Sequence, residues 1–213
     1  MNQLQETTLS VFIEQLAAKS AYPAGGSSAA LAGALGGALV SMACRLTIGK
    51  EGYEEAQEEL TSVLSASQSL RKNLLSAVDK DADAYQKVLK AQALPDRTDD
   101  EQKIRTVAVR AAFREACESP RQIARDCLEV LRLSLRVSGI VNANTVCDLG
   151  AAAIHALGGM EISLMNAQAN VPFVSNDEYS DEVWTEMEEI QEEGRILKSA
   201  VIWEIFGELR EEE

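Results

Sequence analysis

Residues 23–50 read "PAGGSSAALAGALGGALVSMACRLTIGK", and this stretch decides the fold. A glycine turn leads into a run, Ala29–Cys44, that carries no charged side chain. The run is about sixteen residues long, short of the roughly twenty that a membrane-spanning helix needs. We therefore interpret it as a helix buried on nearly all sides, which continues to about Ile48 and stops at Gly49.

Small side chains recur along this predicted helix at the spacing of helical neighbours. They form two rows, Ala29, Gly33 and Gly37, and Ala30, Ala34 and Ala38. Each glycine costs about 1 kcal/mol of helix propensity relative to alanine, so close packing must offset that cost. Close packing against another backbone is the natural candidate, and a subunit interface is one place where it can occur.

The turn in front of the helix has two interpretations. Gly25 and Gly26 either simply reverse the chain, or they and Ser27 present free backbone N–H groups to an anionic or carbonyl group of a ligand. The second interpretation rests on the positive end of a helix, where such groups collect. Ser27 is also the predicted N-cap of the helix.

The rest of the chain predicts further helices, and no segment has the period of two that a strand needs. An apolar stripe at Leu9, Phe12, Ile13 and Leu16 predicts the first helix, and a longer stripe over Leu60–Val88 predicts the third. A capping box at Thr98 and Glu101 opens the fourth helix, and Ser119–Pro120 opens the fifth. The sixth helix ends before Pro172, and Ser180 caps the last one, whose apolar stripe runs from Val183 to Ile205. The fold class is therefore all-α, with about seven long antiparallel helices bundled in one domain over residues 1–213.

Charge and cysteine usage exclude several kinds of partner. A formal net charge of −14 argues against nucleic acid or an anionic membrane as a partner. One histidine, and cysteines without a C-x-x-C pair, make a zinc site a poor fit. The scattered thiols at Cys44, Cys117, Cys127 and Cys147 indicate a reducing cytosol and buried positions.

One carboxylate in the third predicted helix lies on its apolar face. At 100° per residue, Asp81 lies in the middle of the apolar stripe that includes Val78 and Tyr85, whereas Asp79 and Asp83 point to the opposite side. A buried carboxylate is costly unless it is paired or neutral, and its pKa shifts accordingly. The residues leave two interpretations open: a general acid or base, or a buried salt bridge to a nearby Lys or Arg.

The sixth predicted helix offers three further polar side chains. Asn166 and Asn170 lie four residues apart, so both amides share a face that can cap the helix or read the edge of a ring. Asp148 near the helix start is typical of a residue that complements the helix dipole. His155 is interpreted as structural, because no second histidine or nearby Ser–Asp pair accompanies it.

Four segments together resemble one family. They are "PAGGSSAALAGALGGALVSMACRLTIGK", "DKDADAY", "LPDRT" followed by "ESP", and "CDLGAAAIHALGGMEISLMNAQAN", and they span about residues 8–172 in this order. The chain resembles the cyclodeaminase/cyclohydrolase family of tetrahydrofolate enzymes. Ala24 departs from the P-G-G-G-S turn of that family, which leaves open an altered substrate preference or an inactive folate-binding or scaffold protein.

The resemblance implies an all-α homodimer that acts on the one-carbon bridge between N5 and N10 of a tetrahydrofolate derivative, without a required metal or other cofactor. It implies an essential aspartate in a D-x-x-A-[FY] motif, here Asp81. It also suggests substrate contacts at matching positions: Gly25, Gly26, Ser27, Lys50, Asp148, Asn166 and Asn170. The expected reaction is methenyltetrahydrofolate hydrolysis, with formiminotetrahydrofolate deamination as the alternative.

Overall fold

The chain is built from long helices joined by short turns. The computed structural model describes residues 3–174 and 177–211, and within them six α-helices form: α1 Leu9–Ala17, α2 Gly25–Thr47, α3 Gln57–Gln92, α4 Asp99–Val137, α5 Val146–Asn170 and α6 Asp177–Glu211. Short 3-10 helices cover Leu4–Glu6, Glu54–Ala56, Ala143–Thr145 and Val171–Phe173. The prediction of an all-α bundle is confirmed, with six helices where about seven were expected.

The difference in helix number arises at Pro120, which lies inside α4 rather than at the start of a fifth helix. Ser119 and Pro120 have the sequence of a helix start, but α4 runs unbroken for 39 residues. Buried apolar residues on both sides of the proline, such as Phe113 and Ile123, hold the helix against the core. Tertiary packing therefore overrides the local cost of about 3 kcal/mol for an internal proline.

Two predicted caps also differ from the structure. The N-cap of α2 is Ala24, and Ser27 lies within the first turn of the helix. Ser180 lies inside α6, which begins at Asp177. The predicted stop of α2 is confirmed, because Gly49 follows the C-cap with φ of 78°, a left-handed conformation that glycine adopts without strain.

α2 is the central helix, and its small residues allow close contact within the chain. A Cβ added at Gly33 would lie 2.5 Å from Sγ of Cys127 on α4, and one at Gly36 would lie 2.9 Å from the carbonyl oxygen of Ala152 on α5. Gly37 lies against the backbone of α3. The expectation that these rows serve a subunit interface is therefore wrong for Gly33 and Gly37, which pack inside one bundle.

Contacts at both ends of α2 show that it runs antiparallel to α5. Gly25 at its start lies beside Asn166 near the end of α5. At the other end, the backbone N–H of Asn142, just before α5, donates to Oγ1 of Thr47 (2.9 Å). By length and composition α2 is able to span a membrane, but 56% of its most apolar window is buried in the bundle, as expected of a core helix.

α6 covers the junction of α4 and α5 and is held there by a buried arginine. Arg121 on α4 is 4% exposed and pairs with Glu118, Glu182 and Glu186. The predicted apolar stripe of α6 is confirmed: Val183, Met187, Ile190, Val201 and Ile205 are buried, and Leu197 is partly buried against the same core. Pairing of this kind makes α6 sensitive to the loss of a single partner, since an unpaired buried charge is strongly destabilising.

Two expectations about burial are wrong in part. Phe12 is buried, but Leu9 and Ile13 on the same predicted stripe of α1 are 70% and 60% exposed. Among the nine residues of α1, only Phe12 is buried in the core. Among the thiols, Cys44, Cys117 and Cys127 are buried, whereas Cys147 is exposed on α5.

Candidate active site

A cavity of about 300 Å³ lies where α2 begins and α5 ends. Its lining comes from four helices: Gly25 and Gly26 of α2, Asp81 and Tyr85 of α3, Ala116 and Pro120 of α4, and Asn166 and Asn170 of α5. A larger depression of about 760 Å³ lies beside it, between the N-terminal segment and α3, and shares Tyr22 and Ala82 with it. The smaller cavity is the candidate site because a half-buried carboxylate and an unpaired amide line it.

The carboxyl group of Asp81 lies directly against the N-terminus of α2. A Cβ at Gly26 would overlap Cγ and both carboxylate oxygens of Asp81, so only glycine fits at that position. Ser27 donates its backbone N–H to Asp81. The glycine turn therefore accommodates a protein carboxylate, and the N–H of Ser27, which the sequence suggested for a ligand, has a partner within the chain.

Asp81 combines burial with a shifted pKa. Burial raises the pKa of its carboxyl group to about 6, and the backbone hydrogen bond from Ser27 opposes part of that rise. Within residues 3–174 and 177–211 none of the ion pairs includes Asp81, so the salt-bridge interpretation lacks a partner there. A carboxyl group that titrates near pH 6 is able to exchange a proton with a bound molecule at neutral pH.

The raised pKa predicts how pH changes stability. The folded protein keeps the Asp81 proton up to about pH 6, whereas the unfolded chain loses it near the ordinary aspartate pKa of about 3.9. We expect the wild type to lose stability relative to Asp81→Asn as pH rises from about 4 to about 6. Urea unfolding of both proteins at several pH values measures this difference; a difference that does not change with pH contradicts the raised pKa.

Asn170 is oriented by the internal proline of α4. Because Pro120 has no N–H, the carbonyl oxygen of Ala116, four residues earlier, loses its usual helical donor. Nδ2 of Asn170 donates to that oxygen at 2.9 Å. This role of Pro120 was not predicted from the sequence. The available signal was the proline itself, which leaves the carbonyl oxygen of the residue four positions earlier free to accept a side-chain amide.

Asn166 is the second amide of the cavity, and its Nδ2 is buried without a hydrogen-bond partner. It lies next to Gly25, where a Cβ would be 3.4 Å from that nitrogen. Unpaired buried donors are rare, because each one carries a desolvation cost. An unpaired donor that lines a cavity together with a titrating carboxylate is placed to bind an acceptor atom of a ligand.

The remaining residues of the predicted site lie elsewhere. Ser27 is fully buried behind the cavity, where its hydroxyl donates to the carbonyl oxygen of Val78 at 2.9 Å and so joins α2 to α3 one turn before Asp81. Lys50 follows the far end of α2, which extends about 33 Å from Gly25 to Thr47 at 1.5 Å per residue. Asp148 lies about 27 Å from Asn166 along α5. Neither Lys50 nor Asp148 reaches this cavity within one chain.

The two aspartates beside Asp81 differ from each other. Asp83 is exposed, as predicted. Asp79 is half-buried, and its carboxylate accepts the backbone N–H of Leu4 (2.6 Å) and of Gln5 (3.4 Å). The expectation of an ordinary surface role for Asp79 is therefore wrong, since it fixes the N-terminal 3-10 helix. Tyr85, expected in the core, is 42% exposed at the cavity.

These features define a class of helical domains in which a bundle encloses a titrating carboxylate at a helix N-terminus, next to two asparagines of a neighbouring helix. The chain belongs to the formiminotransferase-cyclodeaminase family, whose model matches residues 8–189. The resemblance seen in the sequence is thereby confirmed.

Individual relatives give the same picture. The chain is 34% identical over 194 residues to the methenyltetrahydrofolate cyclohydrolase of Methylorubrum extorquens, with 91% of this chain and 93% of that protein covered. It is 26% identical to the formimidoyltransferase-cyclodeaminase of Mus musculus, of whose length it spans 37%. The solved formiminotetrahydrofolate cyclodeaminase of Thermotoga maritima superimposes with a TM-score of 0.86 at 22% identity, covering 96% of this chain and 98% of that one, which shows a shared fold.

Proposed function

We propose that this protein is a methenyltetrahydrofolate cyclohydrolase, which converts 5,10-methenyltetrahydrofolate and water to 10-formyltetrahydrofolate. The observation that carries the proposal is the half-buried carboxyl group of Asp81, with a pKa of about 6, inside a cavity lined by amides. The cyclohydrolase of Methylorubrum extorquens, similar over nearly its whole length, supports this reaction over deamination.

In the proposed mechanism Asp81 transfers one proton at the one-carbon centre. Its carboxylate takes a proton from a water molecule as the water oxygen bonds to the methenyl carbon. As the C–N5 bond of the tetrahedral adduct breaks, its electron pair stays on N5, which receives the proton held by Asp81. The hydroxyl proton of the adduct passes to solvent as the C=O double bond forms, so the formyl group stays on N10 and one proton is released per turnover. A positioned acid or base of this kind contributes about 10²–10⁴-fold.

The amides and the glycine turn have separate roles in this proposal. Asn166, with its unpaired Nδ2, binds an acceptor atom of the substrate, and Asn170 presents the rest of its amide to the cavity. Gly25 and Gly26 form the wall that lets Asp81 approach the α2 N-terminus. Ser27 positions α2 on α3 through its bond to Val78. Substrate contacts by Lys50 and Asp148 stay predictions, because neither residue lines the cavity of a single chain.

Two parallel assays test the reaction. The first follows the loss of methenyltetrahydrofolate by absorbance, and the second detects ammonia released from formiminotetrahydrofolate. Turnover in the first alone supports the proposal, and ammonia release without hydrolysis of the methenyl substrate replaces it with a cyclodeaminase. Binding of a folate analogue without turnover in either assay indicates an inactive folate-binding protein, the alternative that Ala24 raised.

No metal is needed in the proposed mechanism, because Asp81 and water supply the proton transfer. The supply of metal ligands is poor: within the described ranges no group of three or more His, Cys, Asp or Glu side chains is placed to hold an ion. We expect exhaustive chelation to leave the hydrolysis rate unchanged within about two-fold. Loss of activity on chelation, with recovery on adding zinc, contradicts this mechanism.

We further propose that residues 1–213 act as one domain, that two copies form a homodimer, and that the enzyme works in the cytosol without a cofactor. The free state of Cys44, Cys117, Cys127 and Cys147 is consistent with a reducing compartment. Light scattering measures the mass of the assembly, and a monomeric mass that persists at high concentration rules out the dimer.

A further inference from the structure

One stripe on the outward side of α5 carries no charged side chain from the start of the helix to its end. Seven residues, three or four positions apart, form this face: Cys147, Ala151, Ile154, Gly158, Ile162, Met165 and Ala169. Ile154 is 57% exposed and Met165 is 59% exposed, and none of the seven carries a charge. In a chain with a formal net charge of −14, an uncharged face of this length is unusual and points to a covered surface.

The neighbouring face of α2 extends this apolar surface. Leu31, Leu35, Leu39, Met42 and Leu46 form one stripe, in which Leu35 and Leu46 are 44% and 52% exposed and the other three are half-buried. By contrast, ion pairs link the outer faces of α3 and α4, where Lys87 pairs with Glu115 and Arg136 with Glu59. The α2–α5 face, defined by the residues of these two stripes, is therefore apolar where the opposite side of the bundle is charged.

Gly158 is the one residue of the α5 stripe that the fold of a single chain does not explain. A Cβ added there meets nothing within 4 Å, although glycine inside a helix costs about 1 kcal/mol relative to alanine. The adjacent Gly159 is explained, because a Cβ there would lie 2.7 Å from the carbonyl oxygen of Ala29. A helix from outside the chain, crossing closely at Gly158, accounts for the second glycine.

The stripe is symmetric about Gly158. Counted from Gly158, its members stand at −11, −7, −4, 0, +4, +7 and +11 in the sequence. In a two-fold antiparallel pair of identical helices that cross at position 0, each member at −n faces the member at +n of the other copy. Ile154 then faces Ile162, and Ala151 faces Met165. A surface of this kind suits a second copy of itself, since two-fold interfaces are self-complementary.

We propose that a second copy of this chain packs antiparallel along α5, with the two helices crossing at Gly158. This inference rests on the proposed homodimer and assigns its surface. The absence of charge on both sides removes the repulsion that two chains of −14 meet elsewhere on their surfaces.

This arrangement also extends the candidate site across the two subunits. Ala169 belongs both to the α5 stripe and to the cavity lining, so the second copy covers one side of the cavity. Asp148 stands ten residues before Gly158 and Gln168 ten residues after it. Asp148 of the partner subunit therefore comes level with Gln168, both about 15 Å from the crossing along the helix axes. Asp148, which lies far from the cavity within its own chain, is thus placed near the rim of the other subunit's cavity.

Disulfide trapping tests the crossing point. In the double variant Cys147→Ser/Gly158→Cys, the two introduced thiols face each other across the two-fold axis, so mild oxidation should link most of the protein into a covalent dimer. Two controls should not link above background. In the wild type, the exposed Cys147 thiols of the two copies lie about 33 Å apart. In Cys147→Ser/Ser199→Cys, the thiol lies on an exposed part of α6.

Each result decides between defined alternatives. Efficient linking of the Gly158→Cys variant alone supports the crossing, and equal linking of the Ser199→Cys control, or a dimeric mass without linking at Gly158, overturns it. Gly158→Leu should raise the monomer fraction at least ten-fold while its circular dichroism stays native, because nothing in its own chain contacts that position. If the protein hydrolyses the substrate but the Gly158→Cys variant forms no covalent dimer, the proposed surface is wrong and the proposed reaction stands. If the variant forms the covalent dimer but the protein has no turnover, the proposed reaction is wrong and the surface stands.

Discussion

Asp81→Asn is expected to lower kcat for methenyltetrahydrofolate hydrolysis by about 10²-fold or more, while binding of a folate analogue is largely kept. The substitution keeps the size of the side chain and one oxygen acceptor for the N–H of Ser27, but it removes the group that titrates near pH 6. Steady-state kinetics give kcat, and a fluorescence or calorimetric titration with the analogue gives the affinity.

The matched control is Asp83→Asn, two residues along the same helix and exposed. It should stay within about three-fold of the wild type, because surface substitutions without partners have small effects. Asp79→Asn is not a suitable control, since it weakens the hydrogen bonds to Leu4 and Gln5. Near-full turnover in Asp81→Asn, or equal losses in Asp81→Asn and Asp83→Asn, would show that the proton transfer belongs to another group.

The sequence predicted the parts of the fold and site that depend on one helix at a time. The apolar stripe of α3 placed Asp81 on the inner face, and the structure shows that carboxyl group half-buried. The capping box at Thr98 and Glu101 forms as predicted. Helical periodicity and capping are local properties, so a single sequence is enough to infer them.

What the sequence did not predict depends on contacts between helices. Pro120 has the local pattern of a helix start, and only the packing of α4 against its neighbours shows that the helix continues. The glycine turn suggested a ligand site at the N-terminus of α2. That place is taken by the carboxylate of Asp81, which comes from another helix and so is not visible from the turn's own sequence. Lys50 and Asp148 were grouped with Gly25 by resemblance, but the lengths of α2 and α5 separate them within one chain.

The small-residue rows of α2 show the same limit. Their spacing predicts that some backbone approaches closely, and the contacts of Ala29 with Gly159 and of Gly37 with the backbone of α3 show this. Spacing does not identify which backbone it is. The neighbouring helices are α5, α4 and α3 of the same chain, whereas Gly158, which has open space around it, lies on a different face of α5.

This close approach of α2 and α5 leads to the prediction with the largest expected effect on stability, Gly159→Val. Even the first added carbon would lie 2.7 Å from the carbonyl oxygen of Ala29 and 3.1 Å from the backbone nitrogen of Gly33. Both are backbone atoms of α2, which cannot rotate away as a side chain does, so the two helices must separate. We expect a loss of about 3 kcal/mol or more in the free energy of unfolding, measured by urea denaturation.

Gly207→Val is the matched control, because it makes the same change in a helix where an added Cβ meets nothing within 4 Å. Valine and glycine differ little in helix propensity, so this variant should stay within about 0.5 kcal/mol of the wild type. Equal effects of the two substitutions would mean that the cost is one of propensity, and that α2 and α5 do not need to touch. A large loss confined to Gly159→Val would show that the close contact of α2 with α5 is needed for stability. The helix contact that Gly159 permits also brings the start of α2, with Gly26 against Asp81, beside Asn166 of α5.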